Sequence, residues 1–383
     1  MTYALGQGTG PLKGIKVVEI AGIGPGPHAC MILADLGADV IRIERPGGGM
    51  FGGGKHDVMT RSRPSVAMDL KNPKAIETVK QLVAEADVLI EGMRPGAIER
   101  LGLGPEDCHA LNPKLVYGRM TGWGQDGPWA QAAGHDMNYI GITGALFGLG
   151  QDKARPHFPS NLVGDFGGGS TYLVIGVLAA VLEARTSGQG QVVDAAIVDG
   201  TAHLNAMAAT FAALGAPTDR RASGLLDGGT PYYDIYETAD GRHMTIGSLE
   251  PQFYTELIRL LGLEDLPDRN DPANYPVIRA AFTDAFKAKS QAEWAEIFDA
   301  TDACVGPVLP YDEAIAHPHL AARETFVTEA GIVQPAPAPR FSRTPATISR
   351  PAGGPGSATR EALAAWGIEG VDALVEAGAA FEA

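Results

Sequence analysis

Four short aliphatic runs, Ile15–Ile20, Val40–Ile43, Val88–Glu91 and Leu115–Thr121, punctuate the amino-terminal third of the chain. The first, short and rich in β-branched residues, reads as a buried strand, and the other three read as further strands. Between them lie segments with helical spacing: His28–Leu36, which stops at Gly37, then Ala75–Ala86 and Glu106–Asn112. Strand, helix, strand in this order predicts right-handed βαβ units and a parallel sheet covered by helices.

Further along, Gly122–Tyr139 has little period and reads as a loop. Ser170–Arg185 is a long apolar helix, Gly188-Gln189-Gly190 turns into a strand at Gln191–Ala195, and Val198–Leu214 reads as one more helix. The composition becomes glycine-rich at Gly224–Pro231. Tyr232–Glu237 and His243–Gly247 then read as a hairpin joined at Asp240-Gly241. Helices are expected at Gln252–Leu261, Tyr275–Ala288 and Gln291–Ala300. The predicted organisation is α/β: a large Rossmann-like domain at 1–224 with a parallel sheet, a smaller α+β domain at 225–325, and a C-terminal segment at 326–383. In that last segment Pro335–Pro355 reads as an extended strap, and a terminal helix runs from near Ser357 to Gly367.

The chain has 383 residues and a formal charge of −15, which argues against a nucleic-acid partner. No apolar run is read as long enough to span a bilayer, so no membrane is expected. Neither a secretory leader nor a C-terminal Ser-Lys-Leu address is read. Three widely spaced cysteines, Cys30, Cys108 and Cys304, fit reduced thiols in a cytoplasm. The segment from Arg42 to Arg100 departs from the acidic average, with ten Lys or Arg against eight Asp or Glu. That excess suits either a phosphorylated small molecule or scatter on solvated helices. No metal site is expected: His317 and His319 lack a third ligand and read as loop residues.

Gly22-Ile23-Gly24-Pro25-Gly26 after a strand, with Glu44 at the end of the next, invites comparison with a dinucleotide site. The spacing departs from G-x-G-x-x-G, and Pro25 and Pro27 remove two of the N–H groups that a pyrophosphate needs. A structural turn that admits a close ligand is the better reading.

Several blocks resemble the class III CoA-transferase (CaiB/BaiF) family and, within it, the α-methylacyl-CoA racemases. They include Ala21-Gly22-Ile23-Gly24-Pro25-Gly26-Pro27, Leu33-Ala34-Asp35-Leu36-Gly37-Ala38-Asp39-Val40 and Arg94-Pro95-Gly96. The strongest are Met120-Thr121-Gly122-Trp123-Gly124-Gln125, Ala133-Gly134-His135-Asp136-Met137-Asn138-Tyr139 and Asn161-Leu162-Val163-Gly164-Asp165-Phe166-Gly167-Gly168-Gly169. The resemblance covers nearly the whole chain, although Gly47–Gly54 is richer in glycine than the family pattern and has no physical explanation here.

The resemblance implies a CoA-binding large domain, a chain that returns to it through the C-terminal segment, and an interlocked homodimer. It implies interconversion of (R)- and (S)-2-methylacyl-CoA thioesters by a 1,1-proton shift through an enolate. His135 and Asp165 would be the acid/base pair, His135 serving the S-isomer and Asp165 the R-isomer. Asp136 and Glu250 would orient or tune the imidazole. Such a pair suits the chemistry: histidine populates both protonation states near neutrality, and a buried carboxyl has a raised pKa. Read without the resemblance, Asp165 would be an N-cap aspartate before a helix starting near Ser170, whose free N–H groups offer an oxyanion site. His135 would be an ordinary surface or core histidine.

CoA contacts implied by the resemblance fall on Arg45, on Met68, Asp69, Leu70 and Lys71, on Gly92, Met93 and Arg94, on Arg100, and on Gly134, Met137, Asn138 and Tyr139. Backbone contacts are expected at Met68. Met137 lies either near the acyl chain or in the core. CoA is part of the substrate, and no separate cofactor is expected. The alternative activity is CoA transfer with Asp165 as nucleophile.

Overall fold

The computed structural model describes residues 3–48, 54–151 and 154–383, so most of the Gly47–Gly54 stretch lies outside the described residues. The chain divides into two units, one of 1–143, 159–205 and 321–383, the other of 144–158 and 206–320. The second unit therefore begins earlier than the expected residue 225 and also takes in a short excursion after residue 143.

The first unit runs β1 (Lys16–Ile20), α1 (Pro25–Asp35), β2 (Asp39–Glu44), β3 (Ser65–Met68), α2 (Pro73–Ala84), β4 (Val88–Glu91), α3 (Pro105–Leu111), β5 (Val116–Thr121) and α4 (Asp136–Ile142). After the excursion, a π-helix at Leu162–Ser170 continues into α5 (Thr171–Ser187), β6 (Val192–Ala196) and α6 (Ile197–Leu204). The second unit holds α7 (Ala206–Ala213), β7 (Tyr233–Glu237), β8 (His243–Gly247), α8 (Pro251–Leu261), α9 (Tyr275–Phe286), α10 (Gln291–Phe298), β9 (Val305–Pro307) and α11 (Tyr311–Ala316). The chain passes through α12 (Pro318–Ala322) into β10 (Phe326–Glu329), β11 (Ile332–Pro335), α13 (Thr359–Ala365), α14 (Val371–Glu376) and β12 (Ala380–Phe381) of the first unit.

Seven strands form one sheet in the order β12-β3-β2-β1-β4-β5-β6. Every pair is parallel except β12 on β3, where Ala380 faces Met68. β1 and β4 are neighbours, so successive strands step outward in opposite directions from that junction. The crevice beyond the carboxyl ends of β1 and β4 is thus the switch point, where open α/β sheets bind ligands.

α1 begins three residues before the sequence suggests. Gly24, at φ 70°, turns the chain, and Pro25 starts the helix, where a fixed φ helps and a missing N–H is no loss. Val17, Val18, Val40, Ile41, Leu89, Ile90 and Val116 are almost wholly buried between the helical layers, each worth roughly 1.5–3 kcal/mol of burial. Gly118 on β5 lets α5 lie close, since a β-carbon there would be 3.1 Å from Leu173 and 3.2 Å from Val177.

Two expectations are corrected. The π-helix and α5 form one helical run, Leu162–Ser187, of 26 residues and mean hydropathy 1.5, long and apolar enough to cross a bilayer by length and composition. The run instead packs on the sheet through Leu173, Val174, Val177, Ala180 and Val181. The expected single helix at Val198–Leu214 is two helices, broken at Asn205.

The basic segment also resolves into two kinds of residue. Arg42 and Arg63 both bridge buried Glu19, the Arg63 contact at 2.5 Å, while Arg61 chelates Asp35 at 2.7 Å. All three arginines are buried and belong to the frame of the domain. Arg45, Lys71, Arg94 and Arg100 remain exposed.

The second unit has its own core, in which Tyr236, Phe282, Phe286, Trp294 and Phe298 pack beneath the antiparallel β7-β8-β9 sheet.

Candidate active site

A cavity of about 480 Å³ opens at the switch point. Its floor is Glu19 and Ile20 from the end of β1 and Ile90 and Glu91 from the end of β4. Gly22, Ile23, Pro25, Gly26 and Gly92–Pro95 form its sides, and His135, Asn138, Tyr139 and Asp165 its wall. The two expected acid/base groups therefore meet in one cavity, although 29 intervening residues separate them in sequence and residues 144–158 of that stretch belong to the other unit.

Gly122–Tyr139 was expected to be loop throughout; its last residues instead start α4, with His135 at the N-cap. The His135 N–H donates to Asn138 Oδ1 at 3.0 Å. Two glycines make room for the aromatic wall behind this turn. A β-carbon at Gly122 would fall 2.0 Å from the Tyr139 ring, and one at Gly134 would fall 2.7 Å from Tyr139 and 2.9 Å from Trp123. The Tyr139 hydroxyl donates to the Gly134 carbonyl, and Trp123 meets Tyr139 edge-on at 4.7 Å. Rings so packed hold the backbone that carries His135.

Asp165 lies inside the π-helix, which corrects the expectation of a helix start near Ser170. Gly167, Gly168 and Gly169 are internal to that helix and supply no free helix terminus. π-helical turns are uncommon and gather at functional sites. The start of this one is held by Asp136, whose Oδ2 accepts the Asp165 N–H at 2.7 Å. Gly164 must be glycine for that approach, because a β-carbon would lie 2.2 Å from Asp136 Oδ2. The hydrogen bonds of Asp136 thus come from the backbone of Gly164 and Asp165. Its Oδ1 is buried and meets no protein donor among the described residues.

Burial raises the pKa of Asp165; a hydrogen bond from Asn161 at 3.2 Å opposes the rise, the Asp136 charge adds to it, and His135 opposes it. Asp136 is likewise raised by burial, against backbone N–H groups of Asp165 and Gly164. A carboxyl whose proton is held more tightly than usual suits a group that must both take and return a proton. Sequence reasoning missed Asn161, although its i, i+4 spacing to Asp165 is the helical signal that marks it.

The implied CoA contacts gather at the same sheet edge. Arg45 follows β2, with Nε donating to the Gly48 carbonyl at 2.7 Å. Asp69, Leu70 and Lys71 follow β3, and Asp69 accepts the Lys71 N–H at 3.0 Å. Met68 is buried at the end of β3, opposite Ala380 of β12. Gly92, Met93 and Arg94 follow β4 and line the cavity with Gly134, Asn138 and Tyr139. Buried Glu91 shapes that loop by accepting the Met93 N–H at 2.7 Å while holding Arg119 at 3.0 Å. Arg100 is outside the lining and rests near Gly96. Met137 is 44% exposed, which removes the core-packing alternative. Glu250 is exposed at the N-cap of α8 in the second unit.

Comparison with known proteins bears on this arrangement. A family model described as CoA-transferase family III matches residues 12–359. An alpha-methylacyl-CoA racemase from Mus musculus is 43% identical over 341 residues, covering 88% of each chain. The Homo sapiens protein of the same name is 42% identical over 343 residues, again covering 88% of each. Among solved structures, a CAIB/BAIF family protein from Brucella suis superimposes with a TM-score of 0.80 at 27% identity, covering 94% of this chain and all of that one.

Proposed function

This chain belongs to CoA-transferase family III, and on that premise we propose that it is a 2-methylacyl-CoA racemase working by two-base proton transfer. One of His135 and Asp165 removes the α-proton of the thioester. The C–H electron pair passes into the enolate, and the other group delivers a proton to the opposite face. Water or the next turnover resets the pair. The observation that supports this reading most is the cavity at the switch point, which both side chains line, together with the raised pKa of the carboxyl.

CoA lies along the carboxyl ends of β2, β3 and β4 on this reading, its phosphates near Arg45, Lys71, Arg94 and Arg100, where charge-assisted hydrogen bonds are strongest. Met137 offers an adaptable apolar contact to the acyl chain. The active form is a homodimer, in which Glu250 assists His135. The free thiols of Cys30, Cys108 and Cys304 favour a reducing, cytoplasmic setting.

The test is to incubate one epimer of a 2-methylacyl-CoA in deuterated water with no acceptor acid. The expected result is α-deuteration together with inversion. A CoA-transferase that uses Asp165 as nucleophile would leave the α-proton untouched and move CoA only when an acceptor is supplied.

A further inference from the structure

His28, on the first turns of α1, ties that helix to the π-helix carrying Asp165. Its ring stacks on Phe166, the residue after Asp165, with centroids 4.4 Å apart and planes 29° from parallel. Its Nδ1 lies 2.7 Å from Ser170 Oγ. The Ser170 hydroxyl has one proton, which it donates to the Phe166 carbonyl at 3.0 Å. Ser170 Oγ is therefore the acceptor, and His28 donates from Nδ1–H. Thr171 Oγ1 donates to the same carbonyl at 2.9 Å. Phe166 is thus gripped twice by His28, on its ring directly and at its carbonyl through Ser170.

One turn earlier, α1 reaches the carboxylate itself. A β-carbon at Gly24 would lie 3.0 Å from Asp165 Oδ2, and Gly24 sits at φ +70°. The wall against that carboxylate oxygen is therefore the start of α1. A glycine-rich π-helix needs such tertiary support, because its own geometry and composition give little.

We propose that His28 is a positioning residue for Asp165, locking α1 to the π-helix through Phe166 and Ser170 so that the carboxylate is held against Gly24 at one fixed place in the cavity. His28 is outside the cavity lining, so it acts through Asp165 and touches no substrate. The proposal rests on Asp165 serving one face of the α-carbon. Burial, aided by the charges of Arg63 and Arg61, lowers the His28 pKa, which keeps the imidazole neutral with a single N–H to give.

The experiment uses the full chain and each 2-methylacyl-CoA epimer separately, reading the initial rate of α-deuteration in deuterated water. Asp165→Asn first identifies the epimer whose exchange depends on Asp165. His28→Leu then keeps the bulk and removes the donor. Its expected effect is a loss of about tenfold on the Asp165-dependent epimer and less than about twofold on the other, as for a catalytic group displaced by a fraction of an ångström. His28→Gln, which restores an N–H donor, should recover much of the rate. Should His28→Leu fail to fold, Ser170→Ala carries the same comparison. Equal losses on both epimers, or no loss on either, would overturn the proposal. If Asp165→Asn leaves both epimers exchanging, the assignment of Asp165 itself falls, a result distinct from a silent His28→Leu beside a one-sided Asp165→Asn.

Discussion

Asp136 and Asp165 are neighbours through a backbone hydrogen bond, and that contact has a consequence for pH dependence. The Asp136 charge raises the pKa of Asp165, adding to the larger effect of burial. Exchange from the epimer served by Asp165 needs the ionised carboxylate, so its rate should fall as pH drops through that raised pKa. Asp136→Asn keeps an oxygen to accept the Asp165 N–H and removes the charge. The acid limb for that epimer should therefore move to lower pH, while the profile for the other epimer moves less. Rate–pH profiles measured on both epimers check this; a limb that stays put or moves upward contradicts it.

At the scale of elements, the π-helix depends on close approach. Gly164→Ala would drive a methyl group into Asp136 Oδ2 and to 2.9 Å from Ile140 Cγ2. The expected outcome is a destabilisation of about 1–3 kcal/mol, read as a lower midpoint in thermal or urea unfolding, with loss of exchange on the Asp165-dependent epimer. The same element shows where sequence reasoning stops. β1, β2, β4 and β5 were legible because both faces of each are largely buried, which writes short segments dominated by β-branched and aliphatic residues. β3 is four residues, opens on Ser65 and follows Arg63-Pro64, so no run announces it. The π-helix was hidden because Gly164 and Gly167–Gly169 read locally as a turn. Tertiary contacts make that geometry stable: the Asp136 carboxylate, the stack of His28 on Phe166, and the packing of α6, where Gly200 allows contact with the Gly168 carbonyl. The start of α4 was equally obscure, with a histidine at the N-cap and Gly141 inside the helix. The proposed pair, His135 and Asp165, came from resemblance. A histidine beside an aspartate, in a chain of nine histidines that also holds His56-Asp57, carries little signal until the fold brings Asp165 into the same cavity.

For the whole molecule, α5 is apolar on nearly every side, yet only one side meets the sheet. Leu162, Ile175 and Leu182 are 63%, 56% and 67% exposed, and Val192 on the edge strand β6 and Leu204 on α6 are half exposed. Apolar area of this kind on one domain marks an interaction surface, and it supports the proposed homodimer. Light scattering coupled to gel filtration should return twice the chain mass of 40.0 kDa. Leu182→Glu should shift the protein towards monomer, and a monomer with full activity would remove the dimer from the mechanism.

Two proton-transferring groups on opposite faces of one carbon leave a signature that no other arrangement reproduces. Each epimer, incubated separately in deuterated water with Asp165→Asn and with His135→Ala, should give one-sided exchange: each variant still deuterates one epimer with retention, the two variants choose opposite epimers, and neither inverts. Loss of exchange from both epimers in a single folded variant, or inversion that survives either substitution, would contradict the pairing of His135 with Asp165.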